Sequence, residues 1–379
     1  MFRKTIFWIH LVSGLISGIV IAIMSITGIA IAFEEEILAW VDREVSHVDV
    51  PDETTPLSIE QLLAIVREKR PDHASEYLRV HSDPTAACQF LVGYEDPLYV
   101  NPYTGEITDT RAHTAHEIIH KLEMWHRFFG LDSEDTWIIG RHINGAANLA
   151  FLLLCLTGIY LWFPRALKLR LFKKGLTFNK KATGKARDFN WHNVFGIWSL
   201  PGLVILAATA VVISYEWGHK IPFLLNGEEA TKSRTFGMMA VPPAVVPTPP
   251  DGSTPLPYEQ ILASTKEMFP DWVSIGFSTT ANEGSAPTSK PILLNLTRPD
   301  HMPSRAWTPV EVDPYTGKML QFTRFQDRSA GLRARVWTRF LHTGAGFGFW
   351  GKSVACLFTL GSLFLVYTGF ALSWRRFVR

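Results

Sequence analysis

Cysteine is scarce in this 379-residue chain, with three in all. Cys155 and Cys356 fall inside apolar stretches and Cys88 in a polar one, so no disulfide framework or thiolate metal site is readable. Charge is sparse too: Asp, Glu, Lys and Arg make up 19% of residues, and the net balance is +2. A near-neutral chain carries no electrostatic signature of nucleic-acid binding. No Gly-x-Gly-x-x-Gly follows a strand and no P-loop occurs, which removes the usual sites for nicotinamide, flavin or ATP hydrolysis. No Ser-His-Asp arrangement can be argued. What the chain has instead is long apolar runs and 13 histidines.

Four segments are long and apolar enough to span a bilayer: 5–33, 143–163, 193–215 and 353–374. The first holds 29 residues without a formal charge, and His10 sits near its start. As a helix it would be about 43 Å long, more than a hydrocarbon core of roughly 30 Å needs. A signal peptide would have a shorter apolar core, and no small-residue cleavage pattern precedes Glu34. A plain anchor with an incidental histidine is the bland alternative. An imidazole inside a span loses hydration and calls for a partner. Arg3 and Lys4 precede the first span, nine Lys or Arg and no acid lie within 165–187, and Arg375, Arg376 and Arg379 follow the last. The positive-inside rule then makes these regions and both termini cytoplasmic. The long connections, roughly 34–140 and 217–350, fall outside.

Both connections read as small α+β units. A helix capped by Thr or Ser opens the first and ends by Pro71; strands are expected at 76–81, 88–93 and 98–101. A helix ending by Pro270 opens the second, with strands expected at 273–278 and 292–296. Residues 241–257 read as a Pro-rich linker. Each unit contains a Pro-Tyr-Thr-Gly turn, ending at Gly105 and Gly317, with Asn101 and Asp313 placed to cap it. The units are copies: 55–72 aligns without gaps on 254–271, with ten of 18 positions identical. The spans repeat as well. His10, Gly14 and Thr27-Gly28 match His192, Gly196 and Thr209-Ala210, and the His-to-Thr spacing is 17 in both. Gly140-Arg141, Thr157-Gly158 and Arg165 match Gly351-Lys352, Thr368-Gly369 and Arg376. Both halves enter from the same side, so a pseudo-two-fold axis along the membrane normal is expected.

Duplication turns the histidines into pairs. His10 and His192 occupy equivalent places near the cytoplasmic ends of spans one and three. His126 lies 14 residues before Gly140 and His342 nine before Gly351, a looser equivalence at the outer face. Two imidazoles opposed across a helical bundle are what a b-type haem needs, and two such pairs predict two haems. The absence of Cys-x-x-Cys-His excludes covalent c-type attachment. Gly14, Gly18, Gly196 and Ser199 smooth the first and third spans, either to admit a macrocycle or for ordinary helix packing. His142 competes with His126 as a ligand, but its repeat equivalent, Ser353, cannot ligate haem iron, which favours His126. His113, His116 and His120 share a helix face that could hold a divalent metal or simply meet solvent. His47, His73, His81, His219 and His301 have no repeat support and read as surface residues. Trp125, Phe128, Phe129, Trp137, Phe347, Phe349 and Trp350 read as interfacial belt residues that could also shield a haem edge.

The span-plus-unit halves, with Asn101-Pro102-Tyr103-Thr104-Gly105 and Asp313-Pro314-Tyr315-Thr316-Gly317, resemble PepSY domains joined to PepSY-associated transmembrane helices. The motif running from Asp188 to Asn193, the residues Gly140, Arg141, Gly145 and Asn148, and the stretch from Phe340 to Gly344 look like the iron-regulated inner-membrane members. Those are similar to the ferrioxamine-type siderophore reductases, which carry two haems. The resemblance implies an α-helical membrane protein with four transmembrane helices and two periplasmic α+β PepSY-like domains. Its parts would be helix 1 (1–36), PepSY-like domain 1 (37–112), a periplasmic helix with helix 2 (113–164), a basic loop (165–187), helix 3 (188–217), a linker with PepSY-like domain 2 (218–330), and helix 4 with its tail (331–379).

The activity expected is that of a di-haem inner-membrane reductase, with His10, His192, His126 and His342 as iron ligands. Its partners would be a ferric siderophore outside, an unidentified cytoplasmic or membrane electron donor, and membrane lipid, with no nucleic acid. Two other classes stand beside it: a membrane-anchored PepSY interaction or regulatory protein whose histidines only pack, and a ferric-chelate permease. No polar path is visible in the spans for the permease.

Overall fold

The computed structural model describes residues 1–71, 77–91, 96–131, 133–166, 168–230, 244–249, 253–279, 290–299, 301–303 and 306–378. The expectations at 76, 92–93 and His73, and linker residues 241–243 and 250–252, lie outside these residues; 244–249 and 253–257 carry no helix or strand. The helices are α1 (Phe2–Ile31), α2 (Glu34–Val41), α3 (Ile59–Lys69), α4 (His113–Phe128), α5 (Trp137–Trp162), α6 (Leu169–Leu176), α7 (Gly184–Ser214), α8 (Glu216–Leu224), α9 (Tyr258–Met268), α10 (Ala330–Thr343) and α11 (Gly348–Phe377). The strands are β1 (Tyr77–His81), β2 (Cys88–Leu91), β3 (Leu98–Val100), β4 (Ile107–Asp109), β5 (Ser274–Ser278), β6 (Ile292–Thr297), β7 (Thr308–Val312) and β8 (Met319–Phe322).

Two compact units result, a helical one (Met1–Glu34, Ile118–Ala230, Ala334–Arg379) and a sheet-containing one (Glu35–Glu117, Thr231–Arg333). In the helical unit α1, α5, α7 and α11 lie within four segments long and apolar enough to cross a membrane, with mean hydropathies of 2.4, 1.7, 2.1 and 1.9. Helices α5, α7 and α11 begin before the apolar runs at 143, 193 and 353. Apolarity locates the hydrocarbon-matched part of a helix, while its backbone ladder continues through polar residues such as Arg141 and Lys352. Helices α1 and α7 each pack against both α5 and α11, closing a ring of four. Small residues allow the close approaches. A Cβ on Gly202 would lie 2.0 Å from the Phe358 ring, and one on Gly361 1.9 Å from Ser199 Oγ.

In the sheet unit all eight strands join one antiparallel sheet, ordered β4-β3-β2-β1-β5-β6-β7-β8. The two copies therefore share a sheet instead of standing as separate units. Equivalent strands β1 and β5 meet in the middle, pairing Tyr77 with Ser278 and His81 with Ser274, so each removes the other's open edge. Alternation sets the buried face: Leu78 and Val80 on β1 and Ile292, Leu294 and Leu296 on β6 point inward. They meet Leu62, Leu63 and Val66 of α3 and Ile261 and Leu262 of α9 in one core. Helix α3 starts at a capping box, in which Ser58 Oγ accepts from Gln61 N and Gln61 Oε1 accepts from Ser58 N. The twin turns are built alike: Gly105 and Gly317 adopt φ of 68° and 66°. Asn101 Oδ1 accepts from Tyr103 N at 2.9 Å, and Asp313 Oδ1 from Tyr315 N at 2.8 Å.

One buried carboxylate ties the first half of this unit together. Asp42 is 1% exposed. It accepts from Tyr99 Oη (3.0 Å), Thr110 Oγ1 (2.6 Å), Arg111 N (2.7 Å) and Ala112 N (3.1 Å). Asp42→Ala strands these donors and is expected to cost about 3 kcal/mol, read from urea unfolding; a loss below about 1 kcal/mol would mean that water replaces the carboxylate.

Candidate metal centre

The helical unit brings the expected histidines together in two pairs. His10 on α1 faces His192 on α7 with ring centroids 6.3 Å apart and planes at 86°. His126 on α4 faces His342 on α10, also at 6.3 Å, with planes at 50°. All four rings are half-buried and keep some accessible surface.

Each ring is held by the same nitrogen. His10 Nδ1 lies 2.9 Å from Thr157 Oγ1, and His192 Nδ1 lies 2.9 Å from Thr368 Oγ1. His126 Nδ1 lies 3.2 Å from Thr27 Oγ1 and 2.9 Å from the Met24 carbonyl. His342 Nδ1 lies 3.1 Å from Thr209 Oγ1 and 3.2 Å from the Leu206 carbonyl. Main-chain carbonyls only accept, so at His126 and His342 the proton belongs on Nδ1 and the lone pair on Nε2. Burial pushes the pKa of His126 down to about 4, with the His342 ring a second cause, and burial also lowers that of His342. Neutral imidazole is the ligating form.

These residues would fit a metal ion held between two imidazoles. With metal–nitrogen bonds of about 2.0 Å and a ring nitrogen about 1.15 Å from its centroid, two imidazoles sharing one ion sit about 6.3 Å apart. The rings stand at this separation at both ends despite their different plane angles. Among the described residues no three His, Cys, Asp or Glu gather as a cluster that could hold a metal ion alone. Two imidazoles at each site would suit a metal that brings its remaining ligands with it, as a b-type haem does.

The structure also accounts for the unequal spacing of the outer histidines. A Cβ on Gly140 would lie 1.7 Å from the Phe128 carbonyl oxygen, and one on Gly351 2.2 Å from that of Gly344. Phe128 follows His126 by two residues and Gly344 follows His342 by two. Each glycine therefore seats the end of a histidine-bearing helix, and the five-residue difference is absorbed in the connection beyond it. Gly28 seats the ring itself, since a Cβ there would come 2.9 Å from His126 Cε1.

The family described as PepSY-associated TM region matches residues 7–376. The chain belongs to this family. No curated protein gives a significant match.

In this family member several of the remaining described histidines have surroundings of their own. His142 is exposed on α5. His113 hydrogen-bonds Asp96 and lies 3.5 Å from Glu117, and the Asp96 bond raises its pKa, which opposes metal ligation. His219 departs from the expected surface role: its Nδ1 accepts from Nε of the 5%-exposed Arg335 at 2.7 Å. Of the smooth-face residues, Gly18 takes the Phe370 ring and Ser199 meets Gly361, both ordinary packing, whereas Gly14 and Gly196 have only Leu154 and Leu365 at 3.7 and 3.6 Å. In the sequence the four threonines stand out only as marks of the repeat. The signal that could have paired them was antiparallel neighbourhood. A span's own threonine lies about 26 Å along the helix from its histidine, so each ring's partner had to come from an adjacent element.

Proposed function

We propose that the chain is a di-haem reductase of the bacterial inner membrane, built on a pseudo-two-fold bundle with its PepSY-like repeats in the periplasm. His10 and His192 would hold one b-type haem near the cytoplasmic face, and His126 and His342 a second near the periplasmic face. When bound, the haems supply one-electron transfer from a cytoplasmic or membrane donor to a ferric siderophore outside. Reduction releases the iron as Fe(II), which hard oxygen ligands hold weakly. The observation that carries this reading is the pair of matched imidazole separations, each ring anchored through Nδ1.

The chain's own contribution is positional and electrostatic. Apolar helices exclude water, and two histidines holding one haem would favour electron transfer over oxygen binding. At the cytoplasmic end the fully buried Asp188 pairs with Arg187 at 2.9 Å and Arg375 at 3.1 Å, pinning α7 to α11 one turn from His192.

Protein purified after expression with haem available is expected to show a Soret band and a haem-to-protein ratio near two. The dithionite-reduced form should be reoxidised by a ferrioxamine-type chelate, with Fe(II) captured by a ferrous-specific chelator. A protein lacking the Soret band would sink the reductase reading and leave a membrane-anchored interaction protein in its place.

A further inference from the structure

We propose that Thr27, Thr157, Thr209 and Thr368 are positioning residues that hold the four histidines in one tautomer, and that Thr157 and Thr368 have a larger hold on an iron potential than Thr27 and Thr209. The inference rests on the di-haem reading and adds to it the groups that set the ligands' basicity.

A hydroxyl has one proton to give. Each of the four threonines lies within a helix and donates that proton to the carbonyl four residues earlier. Thr27 donates to Ile23, Thr157 to Leu153, Thr209 to Ile205 and Thr368 to Phe364, all at 2.7 Å. With its proton committed, each hydroxyl oxygen meets its imidazole as an acceptor. Nδ1 must then carry the ring proton, and the Nε2 lone pair is free to ligate. The arrangement recurs four times, from helices α1, α5, α7 and α11. Two of these threonines face rings on α4 and α10, and two face rings on α1 and α7.

An acceptor on the distal N–H raises the basicity of a ligating imidazole and favours the higher oxidation state of the metal, which lowers the potential. The four corners differ in what else shares that proton. His126 has the Met24 carbonyl at 2.9 Å and His342 the Leu206 carbonyl at 3.2 Å. His192 has Thr368. His10 has Thr157. Loss of the hydroxyl should therefore be felt more at His10 and His192 than at His126, where the shorter bond is to the main chain.

The test uses the purified full-length protein, with haem content measured first and redox titration second. Thr157→Val keeps the shape and removes the acceptor; it is expected to retain a ratio near two while the midpoint potential of one centre rises. Thr157→Ser restores the hydroxyl and should return the potential to the wild-type value. Thr27→Val should raise a potential by less than Thr157→Val does, because the Met24 carbonyl still accepts from His126. If Thr157→Val loses one haem and Thr157→Ser regains it, the positioning role stands. Two haems with unchanged potentials in Thr157→Val would overturn the proposal, as would a haem loss that serine does not restore. A wild-type protein without haem is the separate result that removes the di-haem reading itself, and the threonine proposal with it.

Discussion

Replacing His10 or His192 with alanine should leave one haem of the two proposed for the wild type, and His126→Ala or His342→Ala should remove the other. The rings within each pair stand 6.3 Å apart, so one imidazole cannot substitute for its partner without moving a helix. Loss of one imidazole would remove half of a centre's protein ligands, and among the described residues no third His, Cys, Asp or Glu joins either pair to replace it. Haem quantified against protein should thus fall by about half in each single variant. It should vanish in a double variant that takes one histidine from each pair. The two sets should be spectroscopically complementary, each retaining the absorption that the other lost. Four single variants with full haem content would show that the pairing is wrong.

A second large effect is expected from two glycines that touch no histidine. The Phe128 carbonyl oxygen lies 1.7 Å from where a Gly140 Cβ would stand, and the Gly344 oxygen 2.2 Å from a Gly351 Cβ. Both obstacles are main chain and cannot rotate away as a side-chain tip would. Gly140→Val therefore has to push back the end of α4, and His126, two residues from Phe128, moves with it. Gly351→Val does the same to α10 and His342. Each variant is expected to lose the His126–His342 haem and keep the His10–His192 haem, giving a ratio near one and a residual spectrum matching that of His126→Ala. Gly14→Ala is the control. A Cβ there meets Leu154 at 3.7 Å, an ordinary contact, so both haems should remain. If Gly140→Val kept both, the glycine would not be the seat of α4.

Much of this was legible because the chain states itself twice. The helix opening at Ser58 and the Pro-Tyr-Thr-Gly turns could be placed from local chemistry, since a capping box and an Asx-capped turn each complete themselves within a few residues. Strands β4, β7 and β8 had no such signal. They are three to five residues long, and their place depends on partners already in the sheet. The joining of β1 to β5 was out of reach for the same reason: an edge strand's partner is any other open edge, and nothing in its own residues names one. Asp42 looked like one more acid in a polar stretch, and its four donors come from residues 57 to 70 positions away.

By itself the sequence determined the four apolar spans, the duplication, and which histidines had counterparts, because hydrophobic length and repeated spacing are one-dimensional properties. Only the tertiary structure decided that the rings within each pair stand at one shared separation, and that the threonine of one element holds the histidine of another. It alone explained how two outer histidines spaced differently from their glycines can occupy equivalent places. Those are relations between antiparallel neighbours, set by where helices cross and how closely glycine lets their backbones approach. A residue count along one chain carries no information about that distance.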